Sequence, residues 1–255
     1  MIGIGSRFNN APNISRNDAS GIGGLGSVKL WYDLYPAPNE FMVTELYGSE
    51  LDALSLINRK NNSDILNSVG DSNGWIQNGS LFLQSNSQPC YRSSALPYFD
   101  YMTDGTIYLV MKFDSLNFIG NDLLYIATDL YPADVWIKIS TFLDGSDPFW
   151  RFSVRNANYP EYYYETSDFQ MVLHNGFVFL KIHRNSSIPF IQIYDFMTGI
   201  ETAGLEASAG AGGTNYIFNF TGGNNYIYEC IFEAGTPQAE SFITNYLIEK
   251  YTPLL

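Results

Sequence analysis

Charge is scarce in this chain, and positive charge scarcest of all. Charged residues make up 15% of the sequence, against about 25% in an average globular domain. Thirteen Lys and Arg face 26 Asp and Glu, a formal charge of −13. A surface that negative repels phosphate backbones over its whole extent, which excludes nucleic acid as a partner and favours solubility. Cysteine is nearly absent. Cys90 and Cys230 stand alone, so no Cys-x-x-Cys pair offers zinc or redox chemistry. The two thiols are free to pair or not, since a chain of this size with a real core does not depend on a disulfide.

Long apolar runs are missing too. No window approaches the roughly eighteen apolar residues of a membrane span, so membrane insertion is not expected. The opening MIGIGSRFNNAPNIS has neither the basic start nor the apolar run of a cleaved signal, so the expectation is synthesis in a cytoplasm without export. There is no phosphate loop, no Gly-x-Ser-x-Gly and no zinc-ligand spacing, and no cofactor is expected.

What is present is apolar and aromatic. Hydrophobic residues reach 45% and aromatics 16%, and Tyr and Phe in such numbers favour strands over helices. Period-two stretches predict strands over 27–33, 80–84, 106–113, 123–127, 134–142, 149–155, 177–184, 189–195, 215–220 and 226–232. Turn signals such as Asn175-Gly176 and Thr198-Gly199 separate many of them, and Asn175-Gly176 is the clearest hairpin signal. In 177–184 the pattern puts Val178, Leu180 and Ile182 on one face and Phe177, Phe179, Lys181 and His183 on the other. In 226–232 it puts Tyr226, Tyr228, Cys230 and Phe232 opposite Ile227, Glu229 and Ile231. Residues 39–80 are the least regular, with 51–57 either a helical turn or a short strand, and Trp75 is expected to plug the core edge.

One helix is predicted, and it ends the chain. Thr236 and Pro237 suit the N-cap and first-turn positions. Phe242, Ile243, Tyr246, Leu247 and Tyr251 then recur at helical spacing, an apolar stripe that lies on a sheet. Pro253 forbids continuation. The whole pattern is all-β: an antiparallel two-sheet sandwich or jelly roll with a short C-terminal helix. Residues 1–26 differ, with many Gly, Asn and Ser and no periodicity. They read as an extended N-terminal arm before a domain over 27–255, either a plain leader or a segment ordering on a partner through Ile2, Ile4 and Phe8, with Arg7 as charge contact.

The closing strand, turn and helix ending in YLIEKYTPLL, the early KLWYD, the polar stretch 60–78, and then NGSLFLQS and GTIYLVMKF resemble concanavalin A-like, laminin-G-like jelly rolls. Domains of this kind are common in bacteriophage structural proteins, and the order matches over 27–255. The resemblance implies a curved sandwich and a head-fibre, decoration or tail-fibre role. It carries over no catalytic residue.

Candidate chemistry was sought in carboxylate pairs, because lectin-like folds also house glycosidases, in which retaining hydrolysis needs two carboxyls about 5–5.5 Å apart. Glu161 and Glu165, and Glu229 and Glu233, are each four residues apart. Neither spacing gives adjacent acids on one face, and Glu233 is expected past the strand end. His174 and His183 do not lie opposite each other across the expected hairpin. The acids at 144–147 and 71–73 read as turns and lack calcium-loop spacing. The better lead is aromatic: Tyr159, Tyr162, Tyr163 and Tyr164 crowd around Pro160, and tyrosine suits glycan or protein contact. The sequence therefore predicts a non-enzymatic virion protein held by its arm to capsid or tail proteins, homo-oligomeric and most naturally trimeric, displaying its jelly roll toward a host glycan. The alternatives are a free lectin module and, behind it, a glycoside hydrolase.

Overall fold

The computed structural model describes residues 21–69, 74–84, 89–98, 104–113, 122–127, 135–144, 147–155, 165–185, 190–206 and 216–255. Ile2, Ile4, Arg7 and Phe8 of the expected arm, and Tyr159, Tyr162, Tyr163 and Tyr164, lie outside them. Among the described residues the chain forms seventeen strands and one α-helix, antiparallel throughout. In chain order these are β1 (Val28–Asp33), β2 (Met42–Tyr47), β3 (Glu50–Ile57), β4 (Ile65–Ser68), β5 (Gly74–Gln77) and β6 (Ser80–Leu83). Next come β7 (Pro89–Ala95), β8 (Gly105–Phe113), β9 (Asp122–Ala127), β10 (Val135–Asp144), β11 (Asp147–Arg155) and β12 (Glu165–Gln170). The last are β13 (Phe177–Asn185), β14 (Phe190–Asp195), β15 (Ile200–Glu206), β16 (Ile217–Thr221), β17 (Asn225–Ala234) and α1 (Glu240–Tyr251).

Pairing sorts the strands into two layers. One runs β1-β17-β8-β13-β14-β15, with β6 and β5 extending it beside the first half of β17. The longer one runs β2-β3-β4-β7-β16-β9-β10-β11-β12. They join where Asp52 of β3 meets Trp75 of β5. Leu30, Leu109, Leu180 and Phe232 of the first layer and Leu56, Leu124, Ile139, Phe152 and Phe220 of the second share one buried core. A second cluster lies on the outer side of the first layer, where Ile243, Leu247 and Tyr251 of α1 join Trp31, Val110, Phe177, Phe179 and Ile231. The helix therefore covers a sheet, as its stripe predicts. Trp75 packs on Phe82, ring centroids 5.3 Å apart, as an edge plug.

Alternation holds in β13, with Val178, Leu180 and Ile182 in the inter-sheet core and Phe177 and Phe179 under the helix. In β17 it breaks. The register to β8 slips between Ile227 and Glu229, and such a bulge puts two successive residues on one side. Tyr226 and Tyr228 consequently face the helix, while Cys230 and Phe232 turn into the core. Cys90 and Cys230 are both buried free thiols, and burial pushes the Cys230 thiol up.

Other expectations are corrected. Residues 39–80 hold four strands, including 51–57, whose alternation is hidden by a bulge at Val43 and by short, partly exposed edges. Asn175-Gly176 is a tight turn with both residues at positive φ, but it closes only the bridge from His174 to Phe177. It carries the chain from the long layer into β13, which pairs with β8 and β14. An Asn-Gly pair does close a two-residue hairpin at Asn78-Gly79, with φ 52° and 73°, between β5 and β6. The helix begins at Glu240, not at Thr236–Pro237. Its approach is held by Glu233, whose Oε1 accepts the backbone N–H of Gln238 and Ala239 at 3.1 and 3.2 Å and the Ser27 hydroxyl at 2.8 Å. Glu233 thus lies within β17 and is fully buried. Phe242 leaves the stripe and is 45% exposed.

The helix is also tied down by charge. Asp33 and Glu229 sit directly opposite each other in the β1–β17 ladder, where like charges repel. The Lys250 ammonium, reaching back from the last turn of α1, donates to Asp33 Oδ1 and Glu229 Oε2 at 2.7 Å each. Trp31 Nε1–H and the Tyr251 hydroxyl donate to Glu229 at 2.6 and 2.7 Å. Arg59 pairs with Asp33 and lies over the Trp31 ring, 4.1 Å from its centroid.

Lys250→Met keeps the stem and leaves the buried Glu229 without a cation, while Asp33 keeps only Arg59. The expected loss is about 3 kcal/mol near neutral pH, the scale for removing one half of a buried pair. Burial, opposed by Lys250, holds the Glu229 carboxyl above the ordinary range. Without the lysine, the folded state takes up that proton at a higher pH than the unfolded chain, so variant stability rises as pH falls toward the ordinary carboxylate range. Urea midpoints of variant and parent should differ more at about pH 8 than at about pH 5.

Candidate functional site

The carboxylates bridged by Lys250 are an acid pair whose separation the hydrogen bonds limit. Two bonds of 2.7 Å to one nitrogen bound the separation of those oxygens at roughly 5.4 Å, within the spacing of a retaining glycosidase. Spacing alone does not make a reaction centre. Glu229 is fully buried, with both oxygens engaged by Trp31, Lys250 and Tyr251. Burial also pushes the Tyr251 and Tyr246 phenols up, with the Glu229 charge adding to it, so they remain neutral donors. The pair is a structural latch. It was invisible to spacing along the chain, because only the pairing of the first and last strands brings Asp33 and Glu229 together.

The histidines are separate, as their positions predict. His174 Nε2 meets Asp195 Oδ2 at 2.6 Å, and His183 Nδ1 meets Thr106 Oγ1 at 2.9 Å. Burial, then the Lys181 charge, holds His183 below its ordinary pKa. Among the described residues no group of three His, Cys, Asp or Glu gathers where a metal ion could be held.

A different arrangement crosses the outer face of the long layer. Ladder partners share a face, and the registers link Val43, Ser55, Asn67, Arg92, Asn219, Tyr125, Lys138 and Ser153 in one unbroken row from β2 to β11. Their chain neighbours Leu56, Leu66, Tyr91, Phe218, Phe220, Leu124, Ile126, Ile137, Ile139 and Phe152 belong to the inter-sheet core, so the row points outward. From Ser55 to Ser153 it takes six inter-strand steps, roughly 29 Å at about 4.8 Å each. Apart from Val43 at one end, its side chains are amides, hydroxyls, two cations and one tyrosine.

The centre of the row is sheltered. Asn219 is 5% exposed although it faces outward. Its amide donates to the backbone carbonyls of Tyr125 at 3.1 Å and Ile217 at 3.4 Å, which aims Oδ1, an acceptor with capacity to spare, away from them. Two strands away Lys138 pairs with Asp122 at 3.0 Å, and Ser140 donates to the same carboxylate at 2.8 Å. Arg151 forms a fork of two 2.8 Å bonds to Asp168 and stands 4.6 Å from the Phe142 ring centroid, next to Phe149. Half-buried aromatic rings ringed by planar polar groups suit a ligand with apolar faces and hydroxyl edges. None of this row was among the sequence candidates. From Ser55 to Ser153 its residues come from seven strands, and the only local signal was the outward parity of each.

Comparison with solved structures adds a fold-level finding. A Trypanosoma rangeli sialidase in complex with sialic acid matches at TM-score 0.56 with 9% identity, over 89% of this chain and 33% of that one. The same sialidase with a 2,3-difluoro-KDN ligand matches at TM-score 0.55 with 11% identity, over 88% and 37%. A GH54 α-L-arabinofuranosidase soaked with an arabinofuranoside matches more loosely, TM-score 0.49 with 11% identity over 79% and 50%. The chain thus spans about a third of the sialidase chains it matches. No protein-family model and no curated protein matches the sequence.

The sialidase neighbours are glycosidases and not virion components, which overturns the expectation of a non-enzymatic head-fibre, decoration or tail-fibre protein. The pattern behind that expectation, a final strand whose helix lies back on the sheet, is a packing solution. It accompanies the fold whatever the fold is used for.

Glu229→Gln keeps an acceptor for Trp31 and Tyr251 and surrenders the anion that Lys250 neutralises. A loss of about 1–3 kcal/mol in denaturant melts is expected.

Proposed function

We propose that this chain is a carbohydrate-recognition sandwich of the concanavalin A-like kind, part of a carbohydrate-active protein, and that it holds glycan along the outward row of the long layer. The observation that carries this is the sheltered Asn219 between Tyr125 and Arg92, with Lys138 one strand further on. A sugar hydroxyl supplies the donor that Asn219 Oδ1 can accept. A pyranose face has the C–H surface that stacks on the Tyr125 ring. The likeness in fold to a sialidase solved with sialic acid supports carbohydrate as the ligand class. Tyr162, Tyr163 and Tyr164 directly precede β12, whose backbone pairs with β11 where the row ends at Ser153, and with Tyr159 they are proposed as further ligand contacts.

The test is a glycan array with the purified chain, followed by titration of the best ligand. Saturable binding is expected, with Tyr125→Ala weakening it at least about tenfold, or 1.4 kcal/mol, at an unchanged melting temperature. Asn219→Ala should weaken it similarly, and Tyr162→Ala and Tyr163→Ala report on the tyrosine-rich stretch. Binding indifferent to Tyr125 and Asn219 would remove the row from the proposal. Incubating the same glycans with concentrated protein and following cleavage determines whether this chain also carries a reaction centre.

A further inference from the structure

Two tight turns of this fold are closed by the same dipeptide, and the fold treats their side chains differently. Asn78 and Asn175 both stand at φ 52°, with Gly79 at 73° and Gly176 at 83° after them, and both asparagines are exposed. Neither glycine N–H is engaged in a backbone hydrogen bond among the described residues. The Asn175 amide is tied down, because its Nδ2 donates to the backbone oxygen of Leu255 at 2.6 Å. The Asn78 side chain makes no hydrogen bond or ion pair among the described residues.

Asparagine followed by glycine can lose its amide without an enzyme. The deprotonated glycine nitrogen attacks the asparagine Cγ, the new C–N bond closes a five-membered imide, and the Cγ–Nδ2 bond breaks to release ammonia. Water then opens the ring at either carbonyl, leaving aspartate or isoaspartate. The balance is one water in and one ammonia out. Glycine favours the first step, since without a Cβ its peptide turns freely and its nitrogen is easily approached. Ring closure also needs a side chain free to swing and a turn that opens briefly. Both conditions favour Asn78. Its amide is untied, and its turn joins two strands of four residues, whereas the strand after Asn175 has nine.

We propose that Asn78 is a modification site, at which spontaneous deamidation slowly converts the β5–β6 turn to aspartate and isoaspartate, while Leu255 protects Asn175. The position gives the change a consequence. This hairpin joins the layers through Trp75 and Asp52, and β6 pairs with β17. The Gly79 carbonyl accepts the Ala37 N–H at 2.8 Å, and Gln77 Oε1 accepts the Tyr226 hydroxyl at 3.3 Å. Isoaspartate adds a carbon to the main chain inside a two-residue turn, whose length sets the register of both strands. The bonds on either side are pulled out of line, and the hairpin loosens. The inference is independent of carbohydrate binding.

Ageing the full chain at mildly alkaline pH tests it, with peptide mass mapping and isoaspartate read by an isoaspartate methyltransferase. Fragmentation distinguishes Asn78 from the nearby Asn73-Gly74 pair. Conversion at Asn78 is expected at least about fivefold faster than at Asn175, the hold of one hydrogen bond. In concentrated urea the two rates should converge. The aged isoaspartate fraction should melt below fresh protein, whereas Asn78→Gly, which suits the same positive φ, should keep its own melting temperature on ageing. Conversion at Asn78 no faster than at Asn175 in the folded chain overturns the proposal. A gap that persists in urea overturns it too, by placing the cause in the local sequence. An isoaspartate fraction that melts with fresh protein overturns the loosening of the hairpin.

Discussion

Two carboxylates that should repel hold the end of this chain to its beginning. Asp33 lies at the end of the first strand and Glu229 in the last, and pairing sets them face to face at the boundary between sheet and helix. Neither is tolerable there without a cation. Lys250 supplies it from α1, and Arg59 supports Asp33 from the far side. The helix is thereby locked in register as well as in contact. Its apolar stripe would allow some sliding across Trp31, Val110 and Ile231, whereas an ammonium between two carboxylates permits one position.

The bulge in β17 makes that arrangement possible. With strict alternation Tyr228 and Glu229 would point to opposite faces. The slipped register lets Tyr226, Tyr228 and Glu229 all serve the helix side while Ile227, Cys230 and Phe232 still fill the core between the layers. Farther along the same strand, Glu233 receives the backbone donors just before α1. One strand thus organises three interfaces: the β1 ladder, the inter-sheet core and the helix. Its acids act as fasteners at two of them.

The outer face of the long layer is organised differently. It has no helix over it among the described residues, and its row of Ser55, Asn67, Arg92, Asn219, Tyr125, Lys138 and Ser153 exists because seven strands place matching outward positions side by side. Each of these residues, seen in its own segment, is an ordinary solvent-facing neighbour of a core residue. Alternation in β10 and β11 was readable, so the outward parity of Lys138 and Ser153 followed from it. Which residue of β16 or β7 stands beside them did not, since strands distant in the chain and shifted by bulges have no shared local signal. The candidate carboxylates show the same limit. Spacing within one segment allowed Glu229 to be weighed only against Glu233, a pairing it rejected, and the actual partner of Glu229 was Asp33, near the other end of the described chain.

What the amino-acid sequence determined by itself was local: the positions of most strands, the helical stripe of Ile243, Leu247 and Tyr251, the turns at Asn and Gly, and hence an all-β sandwich closed by a helix. Period and turn chemistry are short-range and survive in any context. Tertiary structure decided the rest. It made four strands of the irregular 39–80, moved the helix start to Glu240 because Glu233 lies buried beneath it, and turned Asn175-Gly176 from a hairpin into a crossing between layers. It also assembled the outward row. These depend on ladder register and burial, which arise only when segments far apart in sequence are pressed together.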